Sequence, residues 1–129
     1  AHWECSRKSW QRLHPTWRYC FWTDASIDCF VRTHFPDFYE TFVAYEFGIM
    51  RADVFRLLVL KKMGGVYCDL DIAPTRSLER LVQMYEQNFG FATIEQQTRH
   101  GSQFASNAFM MSTPNSRFVN RALRELANP

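Results

Sequence analysis

Two aspartates separated by one residue, Asp69-Leu70-Asp71, follow the short apolar run Val66-Tyr67-Cys68. Such a pair suits a hard divalent cation, one carboxylate binding directly and the other directly or through water, with substrate phosphates completing the shell. An ion held in this way offsets the charge that grows on a departing diphosphate. For both carboxylates to serve one site the strand is expected to break into a loop at this point, and Pro74 favours such a break. A bare D-x-D is a short pattern, and a solvated turn carrying two ordinary aspartates is the alternative.

A second polar pair, Asp53 and Arg56, interrupts an otherwise apolar stretch three residues apart. On a helix that spacing places both on one face. Charges in an apolar helix cost free energy unless they are paired or bound. Two readings stay open: an intrahelical Asp-Arg ion pair, or two groups that hydrogen-bond ribose or sugar hydroxyls. Arg51, one turn earlier, either supports Asp53 or faces solvent.

The elements that must position these residues read as an alternation of helices and strands, which argues an α/β fold. Ala1 to His14 reads as the tail of a helix closed by Pro15, which restrains the preceding residue away from helical geometry. Trp17 to Trp22 is aromatic and partly alternating, and is a strand candidate. Thr23 or Asp24 can cap a helix through Phe35, and Pro36 starts another through about Tyr45. The strongest predicted helix runs from about Ile49 to Met63; it is apolar nearly all round, as buried helices are. Gly64-Gly65 ends it, since glycine accepts positive φ without strain. The strand Val66 to Cys68 follows, then a loop and a helix around Leu78 to Gln87. A strand near Gly90 to Ile94, a polar loop from Glu95 to Ser106, a strand at Asn107 to Met111 and a helix from about Asn115 to Leu126 complete the reading.

With 129 residues, 47% of them hydrophobic and 16% aromatic, the chain (1–129) is a single domain with one core. A formal charge of +2 with scattered basic residues gives no nucleic-acid surface. No run is long and apolar enough to span a bilayer, so any membrane anchor or targeting segment is expected outside this chain. Cys5, Cys20, Cys29 and Cys68 lack a C-x-x-C pair, which argues against structural zinc. Cys20 and Cys68 read as buried free thiols, while a disulfide between the other two stays open. His2, His14, His34 and His100 share no spacing and read as surface or loop residues; Trp10, Trp17, Trp22, Phe30, Phe35 and Phe38 read as core. Ser102 and Ser106 flank the polar loop and need no function.

Taken together, Arg51-Ala52-Asp53-Val54-Phe55-Arg56, Leu57-Leu58-Val59-Leu60, Gly64-Gly65-Val66-Tyr67 and Asp69-Leu70-Asp71 resemble the D-x-D sugar-binding region of glycosyltransferase family 32. Trp22-Thr23-Asp24 with Ile27-Asp28, and Asn107-Ala108-Phe109-Met110-Met111-Ser112 with Pro114 and Phe118, resemble its flanking segments. The family includes yeast-type α-1,6-mannosyltransferases and mannosyltransferases acting on inositol phosphoceramide. The resemblance implies a GT-A-type, Rossmann-like nucleotide-sugar-binding domain and a retaining, metal-dependent transferase with manganese as the usual metal. It also implies a nucleotide-sugar donor, with GDP-mannose favoured over a UDP-sugar, and a glycan or glycolipid acceptor, used in the Golgi lumen.

Carried over by position, Asp69 and Asp71 match the metal and diphosphate aspartates, and Asp53 and Arg56 match residues that hold the donor's sugar and ribose. Asn107 matches a polar position near the donor-acceptor junction; an amide closing a loop before a strand is its other reading. The family's opening strand and the segments beyond the last helix are not matched, so the domain is expected to be incomplete at both ends. A fragment that binds a nucleotide-sugar without turning it over is therefore an alternative. A haloacid-dehalogenase-type phosphatase is a weaker one, because Ala73 stands where its D-x-D-x-T pattern requires threonine or valine.

Overall fold

The computed structural model describes residues 2–88, 90–97, 101 and 103–127, which form six helices and three strands. In chain order these are α1 (His2–Leu13), α2 (Asp24–His34), α3 (Pro36–Ala44), α4 (Gly48–Met63), β1 (Gly65–Cys68), α5 (Glu79–Asn88), β2 (Phe91–Gln97), β3 (Gln103–Ser112) and α6 (Arg117–Leu126). His100 and Ser102 lie outside the described residues, as does the side chain of His2.

The helix boundaries follow from local chemistry. Thr23 caps α2 in a reciprocal capping box: its hydroxyl accepts from the Ser26 amide, and the Ser26 hydroxyl lies 2.8 Å from the Thr23 amide. Pro36 occupies the first turn of α3, where its missing N–H costs nothing. The Ser116 hydroxyl caps α6 by accepting from the Val119 amide. Gly64 ends α4 with φ 66° and ψ −160°, a conformation essentially restricted to glycine.

Gly64 also faces the ring of Pro114, whose Cδ would lie 2.6 Å from an added Cβ. Gly64→Ala is therefore expected to destabilise the fold by about 2–4 kcal/mol through backbone strain plus overpacking. Gly48, with nothing within 4 Å of an added Cβ, is the control: Gly48→Ala should be neutral or slightly stabilising. Denaturant midpoints at unchanged m-value measure both.

The sheet has the order β1-β3-β2, and both pairings are antiparallel. The described architecture is thus a mixed α/β one in which none of the three strands pairs in parallel. Side chains alternate across the sheet. Tyr67 and Phe91 point into a cluster built by Phe30, Val31, Phe42, Val54, Phe55, Leu58, Val59, Val119 and Leu123 from α2, α3, α4 and α6. Val66, Cys68, Ala92 and Ile94 point the other way, into a cluster centred on Trp10, Phe109 and Met111 and bordered by α5. The sheet is therefore a middle layer between α4 with its neighbours and α1 with α5.

Four expectations are corrected by this packing. Trp17 to Trp22 forms no strand. Its aromatic spacing instead serves both clusters, Trp17 and Tyr19 packing with Trp10 and Trp22 packing with Phe30 and Phe55, while Cys20 and Phe21 are exposed. The expected polar loop from Glu95 to Ser106 is mostly strand, because Glu95, Gln96 and Gln97 pair with Ala105, Phe104 and Gln103 and satisfy their backbones on the hairpin. Hydrogen bonding across a ladder does not require apolar side chains. His14 is buried, stacked on Trp17 at 4.1 Å and on Trp10 at 5.2 Å. All four cysteines are free thiols; Cys20, expected to be buried, is exposed like Cys5 and Cys29 because its segment forms no strand, and Cys68 is half-buried.

Candidate functional site

The strand β1 ends at Cys68, and the Ile72 amide donates to the Asp69 carbonyl at 3.0 Å, so Asp69 to Ile72 is a tight turn. The expected break at the D-x-D is present. Asp69 is anchored on its strand side by its own amide, which donates to the Ala108 carbonyl at 2.8 Å and carries the β1–β3 ladder one residue further. Asp71 projects from the turn, exposed, and makes no hydrogen bond or ion pair with another described residue.

Behind the turn, α1 presents Ser6 and Trp10, and His14, the residue just past its end, continues the same four-residue spacing. The Ser6 hydroxyl at 2.5 Å and the Trp10 indole N–H at 2.9 Å both donate to the Ile72 carbonyl. His14 Nε2 accepts from the Leu78 amide at 2.8 Å, which leaves Nδ1 to carry the proton toward the Trp10 carbonyl at 3.2 Å. The far side of the D-x-D loop is thus fastened to the first helix of the chain.

Arg56 is the hub of the polar cluster. Its side chain is only 5% exposed, which makes its pairing decisive for the cost of burying a charge. One terminal nitrogen lies 2.8 Å from Asp53 Oδ1, and the other donates to the Asn107 carbonyl at 2.8 Å and sits 3.7 Å from Asp69 Oδ1. The guanidinium carbon lies 5.3 Å from the centre of the Tyr67 ring. The Asn107 side-chain Nδ2 donates to Asp53 Oδ1 at 3.1 Å, and the Tyr67 hydroxyl donates to Asp69 Oδ1 at 3.1 Å.

Four of the five residues singled out from the sequence, Asp53, Arg56, Asp69 and Asn107, therefore meet through direct contacts, with Asp71 on the adjoining turn. The intrahelical Asp53–Arg56 pair exists, and Asp53 Oδ2 is left without a partner among the described residues. Arg51 neither supports Asp53 nor faces solvent freely: it donates to the Tyr45 carbonyl at 3.3 Å. Asn107 lies within β3, not in a loop before it.

Tyr67 was legible only as a buried strand residue. Residues i and i+2 of a strand share a face, and that relation to Asp69 is the signal that could have found it. Burial pushes its hydroxyl up to about 12, the nearby Arg56 charge opposing and Asp69 adding to the shift. The phenol therefore keeps its proton at neutral pH and acts as a donor to Asp69. Burial likewise pushes the Cys68 thiol up to about 12, helped by the fields of Asp69 and Asp71, so this thiol is not a nucleophile at neutral pH.

Among the described residues no group of three or more His, Cys, Asp or Glu side chains is placed to hold a metal. Two adjacent hard oxygen donors do not make a closed site. They do fit an ion that takes its remaining ligands from a diphosphate and water. A hollow of about 340 Å³ on the hairpin, lined by Thr93, Ile94, Gln103, Phe104 and Ala105, carries no charged side chain and is no rival for such chemistry.

This cluster of a recessed cation, a carboxylate rim and a D-x-D turn coincides with a known sequence region. Residues 1–89 match the glycosyltransferase sugar-binding region containing the DXD motif. The chain belongs to this glycosyltransferase family. It is similar to inositol phosphoceramide mannosyltransferase 3 of Schizosaccharomyces pombe, 41% identical over 80 residues that cover 62% of this chain and 22% of that protein. Mannosyl phosphorylinositol ceramide synthase CSH1 of Saccharomyces cerevisiae is 39% identical over 82 residues, covering 64% of this chain and 22% of that protein. Mannosyl phosphorylinositol ceramide synthase SUR1 of the same yeast is 34% identical over 125 residues, 97% of this chain and 30% of that protein. The chain thus spans under a third of the length of these relatives. No solved structure matches it. No described helix is long and apolar enough to cross a membrane.

Proposed function

We propose that this chain is the nucleotide-sugar-binding part of a retaining, metal-dependent mannosyltransferase of GT-A type, which moves mannose from GDP-mannose to a glycolipid of the inositol phosphoceramide class. The observation that carries the reading is the convergence of Asp53, Arg56 and Asn107 on the Asp69 turn, in a chain of this family. The relatives' names supply the sugar and the lipid acceptor. A secretory-pathway membrane, the Golgi in particular, is the setting that such an acceptor suggests.

The division of labour follows from the chemistry of the groups. Asp53 Oδ2 and the Asn107 side chain offer hydrogen bonds to sugar or ribose hydroxyls at the rim. Arg56, too deep to act as a mobile counter-charge, fixes the Asp53 carboxylate and the Asn107 backbone in place. Tyr67 occupies one oxygen of Asp69 as a hydrogen-bond donor and so orients the carboxylate toward the turn. Asp69 and Asp71 would hold the ion, manganese by expectation, whose charge stabilises the departing diphosphate.

A panel of nucleotide-sugars tested with the full-length protein and manganese decides the donor. GDP-mannose should be turned over at least about tenfold more efficiently than any UDP-sugar, a discrimination of only about 1.4 kcal/mol. Equal or better use of a UDP-sugar would refute the mannose assignment. Tight binding without transfer to any inositol-containing lipid would refute the catalytic one.

A further inference from the structure

The pairing of β2 with β3 runs Phe91 to Ser112, Ala92 to Met111 and Thr93 to Met110, and then jumps to Ile94 opposite Ser106. Three residues, Asn107, Ala108 and Phe109, are therefore looped away from β2. Along its other edge β3 stays in register with β1, through Cys68 opposite Phe109 and the Asp69 amide on the Ala108 carbonyl. The bulge is one-sided, and what it releases from β2 it delivers to the site. The Asn107 carbonyl meets Arg56, the Asn107 side chain meets Asp53, and Ala108 holds Asp69. Bulges of this kind re-aim side chains and are a recurrent feature of strands beside active sites.

A ladder interrupted in this way takes Phe109 out of its pairing with β2, and a single side chain on β2 meets its carbonyl. The Thr93 hydroxyl donates to the Phe109 carbonyl at 2.8 Å and also contacts the Ser106 carbonyl, the two ends of the bulge. One proton serves both, shared or alternating. The Ser106 hydroxyl completes the closure by accepting from the Ala108 amide at 3.2 Å. Thr93 lies on the Phe91 face of β2, and its hydroxyl makes no hydrogen bond to Asp53, Arg56, Asp69, Asp71 or Asn107.

We propose that Thr93 is a positioning residue for the nucleotide-sugar site, its hydroxyl clamping the bulge that sets Asn107 against Arg56 and Asp53 and fixes the Asp69 amide. The inference rests on the proposed function for its ligand, though not for its geometry. Thr93→Val keeps the β-branched shape and removes the hydroxyl that meets the Phe109 and Ser106 carbonyls. Thr93→Ser keeps the hydroxyl and loses the methyl.

The test compares the full-length wild type with both variants in two measurements. Without ligand, hydrogen exchange is followed in peptides spanning residues 66–72 and 105–111. With manganese, GDP binding is measured by calorimetry, and KM for GDP-mannose is separated from kcat. Thr93→Val should accelerate exchange in both peptides and weaken GDP binding and raise KM by about three- to tenfold, the weight of one net hydrogen bond. Thr93→Ser should stay within about twofold of wild type in every readout, which a role in packing alone would not produce. Unchanged exchange in Thr93→Val overturns the clamp, as does a Thr93→Ser variant as impaired as the valine variant. A wild type that binds no GDP defeats the functional reading instead, and the exchange comparison then supports or overturns the clamp unaided.

Discussion

Asp71→Ala is expected to reduce sugar transfer by about 10²–10³-fold while leaving the melting temperature unchanged. The magnitude is that of removing one preorganised electrostatic group from a site where charge develops. The second half of the expectation comes from the structure. Asp71 is exposed and makes no hydrogen bond or ion pair with another described residue, so its loss removes no such contact from the fold, and surface substitutions of this kind fall within about 0.5 kcal/mol of neutral. Asp69 cannot provide as clean a test, because its carboxylate is engaged by Tyr67 and Arg56 and its amide by β3. Manganese titration of activity, run beside a thermal melt, measures both halves. Transfer and metal dependence that survive in Asp71→Ala would remove the D-x-D turn from the mechanism.

Arg56 is expected to behave in the opposite manner, losing stability and function together. Arg56→Met takes away the cation that meets Asp53, the Asn107 carbonyl and Asp69, and leaves two carboxylates facing each other across an apolar side chain. The carboxylates are 46% and 35% exposed, so water relieves part of the penalty. A loss of about 2 kcal/mol, the worth of a hydrogen bond to a charged group, is the expected scale. Arg56→Lys should recover little of it. An ammonium cannot span the distance from Asp53 to the Asn107 carbonyl with two planar donors, nor lie over the Tyr67 ring in the same way. Chemical denaturation with donor KM on the same preparations distinguishes this hub from an ordinary surface pair. A lysine variant equal to wild type in both would show that Arg56 acts only as a point charge.

The contrast between these two residues bears on how the site works. Asp71 is held only by its turn, whereas Arg56, Tyr67 and Asn107 are held together by α4, β1 and β3. The rigid part of the site is thus the part that would read hydroxyls, and the exposed part is the one that would meet phosphate and metal. A recessed cation that orients acceptor groups costs little reorganisation when a ligand arrives, because its hydrogen bonds already exist.

Much of this was legible before any fold was known, and the legible part shares one property: it depends on neighbours within about four residues along the chain. The Asp53–Arg56 spacing forms a real pair on α4, Thr23 caps α2, Pro36 opens α3, Gly64 stops α4, and the D-x-D falls in a turn. The family itself is carried by such local runs. What only the tertiary structure decided depends on partners far apart in sequence. Trp17 to Trp22 looks like a strand by composition, but aromatic alternation does not reveal whether an edge is available to pair with, and here it packs two cores instead. His14 is indistinguishable from a surface histidine until Leu78, 64 residues away, brings its amide to the ring. Asn107 reads as the start of a strand because nothing nearby announces a bulge; its place beside Asp53, 54 residues earlier, follows from a register jump held by a hydroxyl on the neighbouring strand. The sequence by itself determined which groups could do chemistry and which helices would carry them. Strand register determined which of them meet, since a ladder is a contract between distant segments that no short window contains.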